Sequence, residues 1–371
     1  MKAAARPTRR RRGLAWWNGL HLLLMAFFLM AYTTRYVHPR TLWWTELVGV
    51  TLPALMACVA LGLLLTGLKR QRELAAAYLL LLLLGAWRLY DVQRLIPAAP
   101  ASDDEVLRVM TYNAPAYPVV QPDSVRQAVA RERPHLIGLQ EPYVLSRPNK
   151  PGGVGLPGYL QPLIDSLGYA LHRGDGRAHR ITYQPVLGHV EVLASESIDL
   201  VTATRAFSED GQLMRVRFRW QGREAVLYNV HLQSFQFTKP WDMPLGQFAQ
   251  LDTWRTYVEQ FRAAFLTRAE EARLVRARLE QETLPVLLVG DFNSTPHNWV
   301  YHHLAAGLQD AFRVRGIGWG ATYRIDWPLV RIDFVLATPD WEVIRAYPVT
   351  GQRLSDHRPV MAHLRWRTPP P

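Results

Sequence analysis

Apolar residues are distributed in two unlike ways along this chain. From Leu14 onward they run almost unbroken through residues 14–37, 42–68 and 74–96, each close to the roughly 20 helical residues that cross a hydrocarbon core. Trp16, Trp17, Trp43, Trp44 and Trp87 lie near the ends of these stretches, as interfacial aromatics do. Arg88 sits near enough to the end of the third for its long side chain to reach the interface. The pattern predicts a transmembrane region of three helices over residues 14–96. Lys2, Arg6 and Arg9 to Arg12 precede it, and Lys69, Arg70 and Arg72 separate its second and third helices. The positive-inside rule then puts residues 1–13 in the cytoplasm and everything after the third helix outside it.

Beyond a linker at 97–105, the pattern over residues 106–371 changes to short apolar runs of strand length with helical segments between them. Val106 to Tyr112 and Leu136 to Gln140 read as strands. Between them Asp123 can cap a helix that carries Val125, Ala128 and Val129 on one side. Val190 to Leu193, Met214 to Trp220 and Ala225 to Val230 read as further strands, the last two joined as a hairpin around Gln221-Gly222. Leu245 to Glu282 has apolar residues at helical spacing, including Phe261, Phe265, Leu274 and Leu279, and predicts one or two amphipathic helices. Pro285 to Gly290 and Ile332 to Ala337 complete the strands. Strands with helices between them predict an α/β layered sandwich.

Charge changes the picture chiefly by where it lies. The chain carries +12, but residues 1–102 hold 13 lysines and arginines against three acids, and the rest holds 30 against 28. The basicity therefore belongs to the apolar third, and composition gives no support for a general polyanion-binding surface on the remainder. Cys58 is the only cysteine, which removes disulfides and thiolate metal clusters and leaves oxygen and imidazole as metal ligands.

The candidate chemistry stands where the apolar strands stop. Asn113 ends Val109-Met110-Thr111-Tyr112-Asn113, Glu141 follows Leu139-Gln140, and His231 ends Tyr228-Asn229-Val230. Asp291 and Asn293 flank Phe292 after Val289-Gly290, and Asp333 lies in Arg331-Ile332-Asp333-Phe334. The sixth piece is Ser355-Asp356-His357-Arg358-Pro359-Val360. Singly, each is an ordinary turn or surface residue. As a set, polar groups emerging at one edge of a layered sheet can converge in one cleft.

Together the pieces resemble the endonuclease/exonuclease/phosphatase superfamily, over roughly Val106 to Leu364, with Gly-Asp-Phe-Asn and Ser-Asp-His-Arg-Pro-Val the most specific parts. A set of apolar spans before this domain also resembles the arrangement of bacterial membrane-anchored members. The resemblance implies a two-sheet α/β sandwich flanked by helices, of the deoxyribonuclease I-like kind, and hydrolysis of phosphate esters with Mg2+, or Mn2+ in its place. Glu141 would be the principal metal ligand, with Asn113 beside it and Asp356 as a second carboxylate. Asp291 would orient or deprotonate the attacking water, and Asn293 would fix the phosphate or that aspartate. His231 and His357 would lie on the phosphate oxygens, with Asp333 holding His357.

Against the family pattern, the usual Ser-Arg/Lys-aromatic-Pro stretch has only His179-Arg180-Ile181-Thr182-Tyr183-Gln184-Pro185 as its nearest match. No acid can be assigned to support the first histidine. The near-neutral domain and the apolar third favour a lipid or small organophosphate over nucleic acid as substrate. Phe235, Phe237, Trp241 and Phe248 could supply an apolar lip, or could be ordinary core. The expected location is the outer face of a bacterial inner membrane. The competing readings are a nuclease on DNA or RNA, and an inactive membrane scaffold that keeps the fold.

Overall fold

The structure, a computed structural model, describes residues 9–92, 105–114, 122–142, 160–172, 185–200, 211–235, 246, 250–323, 330–350 and 355–367. The chain divides into two compact units, Met1–Val92 with His297–Trp299, and Gln93–Pro296 with Val300–Pro371.

The first unit is helical: α1 (Arg9–Thr33), α2 (Pro39–Leu42), α3 (Thr45–Val50), α4 (Leu52–Leu68) and α5 (Arg72–Val92). Its core gathers Phe28, Ala31, Leu52, Val59, Tyr78 and Leu81. Many of its leucines point outward instead, among them Leu20, Leu22, Leu23, Leu61, Leu64, Leu80 and Leu83. The expected stretches are helical, yet among the described residues no helix is long and apolar enough to cross a membrane, which corrects the three-span expectation. The physical reasons are local. The first helix opens on Arg9–Arg12, and the second stretch breaks at Thr51, where Pro53 suits only a helix start, so α4 has just 17 residues. The third begins on Arg72-Glu73, and the Arg88 side chain is buried rather than reaching outward.

The second unit is an α/β sandwich of two mixed sheets. Its elements run β1 (Leu107–Asn113), α6 (Pro122–Glu132), β2 (Leu136–Gln140), α7 (Leu160–Leu167), β3 (Ala170–His172), β4 (Val186–Gly188), β5 (Glu191–Leu200), β6 (Gly211–Trp220), β7 (Arg223–His231), α8 (Leu251–Gln281), β8 (Val286–Asp291), α9 (Trp299–Leu304), β9 (Gln309–Asp310), α10 (Ala311–Arg315), β10 (Asp333–Ala337), β11 (Trp341–Pro348) and β12 (Val360–Trp366). One sheet has the order β11-β12-β1-β2-β4-β3 and the other β5-β6-β7-β8-β10-β9. Each has one parallel pair at its centre, β1 with β2 and β7 with β8. Parallel neighbours need a crossover, and α6 and α8 supply it.

Strand parity explains where the site arises. Successive strand residues point to opposite faces. Leu107 and Val109 of β1, Ala225 and Leu227 of β7, Leu287 and Val289 of β8, and Val335 and Ala337 of β10 all enter the core between the sheets. Met110 and Tyr112 face the other way, onto Val125, Ala128 and Val129 of α6 and Leu160 and Leu163 of α7. Carrying the inward set to the strand ends gives Asn113, His231, Asp291 and Asp333. The polar residues are therefore the last inward rungs of apolar ladders.

Candidate active site

The backbone bends sharply where these side chains are delivered. Glu141 and Asn293 adopt left-handed conformations, with φ of 55° and 48°, so each strand ends in a tight turn just beside its functional group. Gly290, one residue before Asp291, has φ 141°, and a Cβ there would stand 1.9 Å from the Val230 carbonyl oxygen. Only glycine lets β8 come this close to β7, and that approach sets His231 opposite Asp291 in the parallel register.

Asp291 is the hub. Its Oδ2 accepts from Asn113 Nδ2 at 3.0 Å and stands 3.8 Å from both His231 Nε2 and His357 Nε2. Its Oδ1 accepts from the Asn293 backbone N–H at 2.7 Å. The Asn293 side chain turns away from the site and donates to the Leu232 carbonyl at 2.9 Å. Burial raises the Asp291 pKa, as does neighbouring Asp333, against the opposing pull of His357 and His231. A carboxylate held above its ordinary range is a stronger base while still ionised.

His357 forms a dyad with Asp333, its Nδ1 lying 3.0 Å from Asp333 Oδ2. Burial pulls the imidazole pKa down, but Asp333 and Asp291 outweigh it and carry it up to about 10. The ring is therefore an imidazolium at neutral pH, with Nδ1 paired and Nε2 aimed at Asp291. The Tyr323 ring lies 4.8 Å from it. Thr322 Oγ1 accepts from the backbone N–H groups of Ile332 and Asp333 at 3.1 and 3.3 Å, fixing the entry to β10.

Glu141 and Asn113 lie on the other side of the hub. Asn113 Nδ2 donates to Glu141 Oε1 at 3.3 Å as well as to Asp291, and two carboxylate acceptors on one nitrogen settle which way the amide points. Its Oδ1 is thereby turned elsewhere, buried and without a hydrogen-bond partner. Glu141 Oε1 stands 3.4 Å from His231 Nε2, and its side chain is 26% exposed. An orphaned amide oxygen beside a half-open carboxylate is a hard-oxygen pair suited to Mg2+, which binds through one or two carboxylates and keeps several waters. Asp291, Asp333 and His357 also offer ligand atoms within 4.8 Å of one another. A cation there would have to displace the His357 proton that both carboxylates stabilise, so Glu141 with Asn113 is the better fit. Asp356 is exposed and accepts from Ser355 Oγ at 3.2 Å.

All eight residues singled out in the sequence are described, and seven are joined in one chain of contacts; Asp356 is tied to them through Ser355, whose Oγ also donates to the Asn113 carbonyl at 2.9 Å. Sequence reasoning missed Ser355 and Thr322, and it also missed a buried relay beneath the site. Gln140 Nε2 donates to Asn229 Oδ1 at 2.6 Å, and Asn229 Nδ2 donates to the Leu139 carbonyl at 2.9 Å. The signal was available, since Asn229 and Gln140 are polar residues at inward positions of otherwise apolar strands. Of the expected lip, Phe235 packs edge-on against Phe261 and Phe265 of α8, whereas Phe237, Trp241 and Phe248 lie outside the described residues. So does the 179–184 part of the stretch ending at Pro185.

The family model described as Endonuclease/Exonuclease/phosphatase family matches residues 110–357. No curated protein matches the chain in sequence. Among solved structures, an endonuclease/exonuclease/phosphatase family protein from Bacteroides thetaiotaomicron is 17% identical, with 71% of this chain and 98% of that one covered and a TM-score of 0.52. A mannosyl-6-phosphatase from Bacteroides thetaiotaomicron VPI-5482 is 16% identical over 70% of this chain and 100% of its own, at a TM-score of 0.50. Humanized D. rerio TDP2 is 16% identical over 71% and 100%, also at 0.50. At such identities the likeness is one of fold.

Proposed function

Because the chain belongs to the endonuclease/exonuclease/phosphatase family, whose members are phosphoesterase hydrolases, we propose that it hydrolyses a phosphoester by attack of water, assisted by Mg2+ (or Mn2+) held at Glu141 and Asn113 Oδ1, with Asp356 as a second carboxylate. The observation that carries this reading is Asp291 Oδ2 within 3.8 Å of both imidazoles and hydrogen-bonded by Asn113. The bound cation would neutralise charge on the phosphate and the leaving oxygen. The chain's own groups supply the rest. Asp291, with its raised basicity and its Oδ1 pinned by Asn293, takes the proton of the attacking water. His357, kept cationic by Asp333, donates from Nε2 to a non-bridging oxygen as charge develops there. His231 Nε2 has no hydrogen-bond partner and can serve the same phosphate from β7.

For the substrate we favour a lipid phosphoester or a small organophosphate. Ile317 and Trp319 are 58% and 40% exposed in the Gly316–Gly320 loop, only a few residues before Thr322 and Tyr323, and the catalytic unit carries little net charge. We propose also that the first unit, with its outward leucines, associates with a bilayer, the catalytic unit lying outside the cytoplasm. Co-flotation of the full chain with phospholipid vesicles and exposure of the catalytic unit to protease added to intact cells would support both; failure to float would refute the first.

The deciding assay gives detergent-solubilised full chain bis(p-nitrophenyl) phosphate, p-nitrophenyl phosphate, sphingomyelin and DNA, with Mg2+ or with chelator. We expect Mg2+-dependent turnover that Asp291→Asn and Glu141→Ala each reduce at least 100-fold. Preference for DNA would move the reading to a nuclease. Absence of turnover on all four would favour a scaffold.

A further inference from the structure

The catalytic loops after β7 and β8 run on side by side past the end of their strands. His231 pairs with Asp291 in the last rung, the Leu232 N–H donates to the Asp291 carbonyl at 3.0 Å, and Asn293 reaches back to the Leu232 carbonyl. At the next residue, Gln233, the strand ladder has stopped, while the residue is still only 9% exposed. Both of its buried backbone groups therefore need partners from elsewhere.

They find them on α8. Glu271 Oε2 accepts the Gln233 N–H at 2.7 Å. Arg268 Nε donates to the Gln233 carbonyl at 2.8 Å, and its Nη1 lies 3.4 Å from Ser294 Oγ. Ser294 directly follows Asn293. One guanidinium thus joins the loop that follows His231 to the loop that follows Asp291, in place of the missing rung. Both side chains are 1% exposed. They stand on the stripe of α8 that otherwise buries Ala264, Phe265, Ala269, Ala272 and Val275, where an apolar side chain would be the ordinary choice. Burying a guanidinium and a carboxylate is costly unless each is hydrogen-bonded, and charge-assisted bonds to backbone are the strong kind.

We infer that Arg268 and Glu271 are positioning residues for the proposed hydrolysis, a two-point clamp from α8 that fixes His231 against Asp291 and Asn293. The inference rests on that functional reading for its kinetic consequence but not for its structural one. Neither residue touches the reacting atoms. The clamp sets the distance between the β7 imidazole and the β8 base, and leaves the Glu141 and Asn113 side of the site to the other sheet.

The test compares Glu271→Ala, Glu271→Gln and Arg268→Lys with Val275→Ala, a cavity variant on the same helix away from the loops, in the full chain. Turnover of bis(p-nitrophenyl) phosphate is normalised to folded protein, and deuterium uptake is followed in the peptide containing Gln233. We expect Glu271→Ala and Arg268→Lys to lower kcat at least 10-fold with KM and the Mg2+ midpoint changed less than 2-fold, and to speed exchange at Gln233. Glu271→Gln, which keeps an acceptor oxygen, should recover most of kcat. Val275→Ala should lower Tm while leaving kcat within 2-fold. Combining Glu271→Ala with Arg268→Lys should cost no more than the worse single change, as for residues acting as a unit. The clamp is overturned if kcat tracks Tm across all four variants, or if exchange at Gln233 is unchanged in Glu271→Ala. Should the wild type turn over no phosphoester, the proposed function fails while the exchange measurement still decides the clamp.

Discussion

At the scale of single residues, the dyad of Asp333 and His357 makes a sharp demand. Asp333 accepts from Nδ1 and keeps the ring cationic, so Asp333→Asn should leave His357 a neutral imidazole, a weaker donor to the phosphate, and reduce kcat by about 10²- to 10³-fold, with little change in fold by circular dichroism. His135 carries an opposite demand, in a place remote from the chemistry. Its Nδ1 accepts from the Arg108 backbone N–H at 3.0 Å and its Nε2 faces the Arg108 guanidinium at 3.2 Å. Burial, and after it Arg108, hold its pKa down at about 4. Unfolded, the ring titrates near 6.5, so its contribution is present above that value and is lost as pH falls from 6.5 toward 4. Chemical denaturation at pH 7 and pH 5 should show that loss, and His135→Gln should flatten it. Residues of the first kind were legible because a polar group ended an apolar run. His135 was not, because nothing in its neighbourhood of sequence reveals that β2 lays it against β1.

At the scale of elements, the central strands were legible and the edges were not. β2 was placed to the residue and β1, β7, β8 and β10 to within two, since their apolar runs are dense and both faces are covered. β5 was expected only over 190–193 and runs on to Leu200, because pairing with β6 carries Glu196 and Ser197 along. β11 was missed, since its ladder to β12 slips between Val343 and Arg345, and a bulge destroys the period of two. Of the 245–282 segment, the described residues hold one helix, Leu251–Gln281. What couples the sheets was also missed, although it is testable. Asn229→Leu would leave the Leu139 carbonyl without its bond across the sandwich, while Gln140 Nε2 keeps Thr111 and Gly138 and the Pro185 carbonyl keeps the Leu139 N–H. An unsatisfied buried group costs roughly 1–3 kcal/mol, so urea denaturation should show a loss of that size.

At the scale of the whole molecule, a site split between two sheets ties ligand binding to global stability. A cation that binds only the assembled sandwich raises Tm by mass action, about 2.7 kcal/mol of stability at a hundred times its Kd. Thermal unfolding should therefore shift upward with Mg2+ in the wild type and hardly at all in Glu141→Ala; equal shifts in both would place the cation elsewhere.

The strand order has one more consequence, and it concerns time. β1 is among the first strands of its unit to be synthesised, yet one of its two neighbours is β12, which leaves the ribosome more than two hundred residues later and follows directly on His357. Until then the nascent sheet has an open edge, a hazard for pairing with other chains, and the half-built cleft lacks its imidazolium. On the proposed function, hydrolytic competence would therefore arrive only with β12, and a chain interrupted before it would be both sticky and inert.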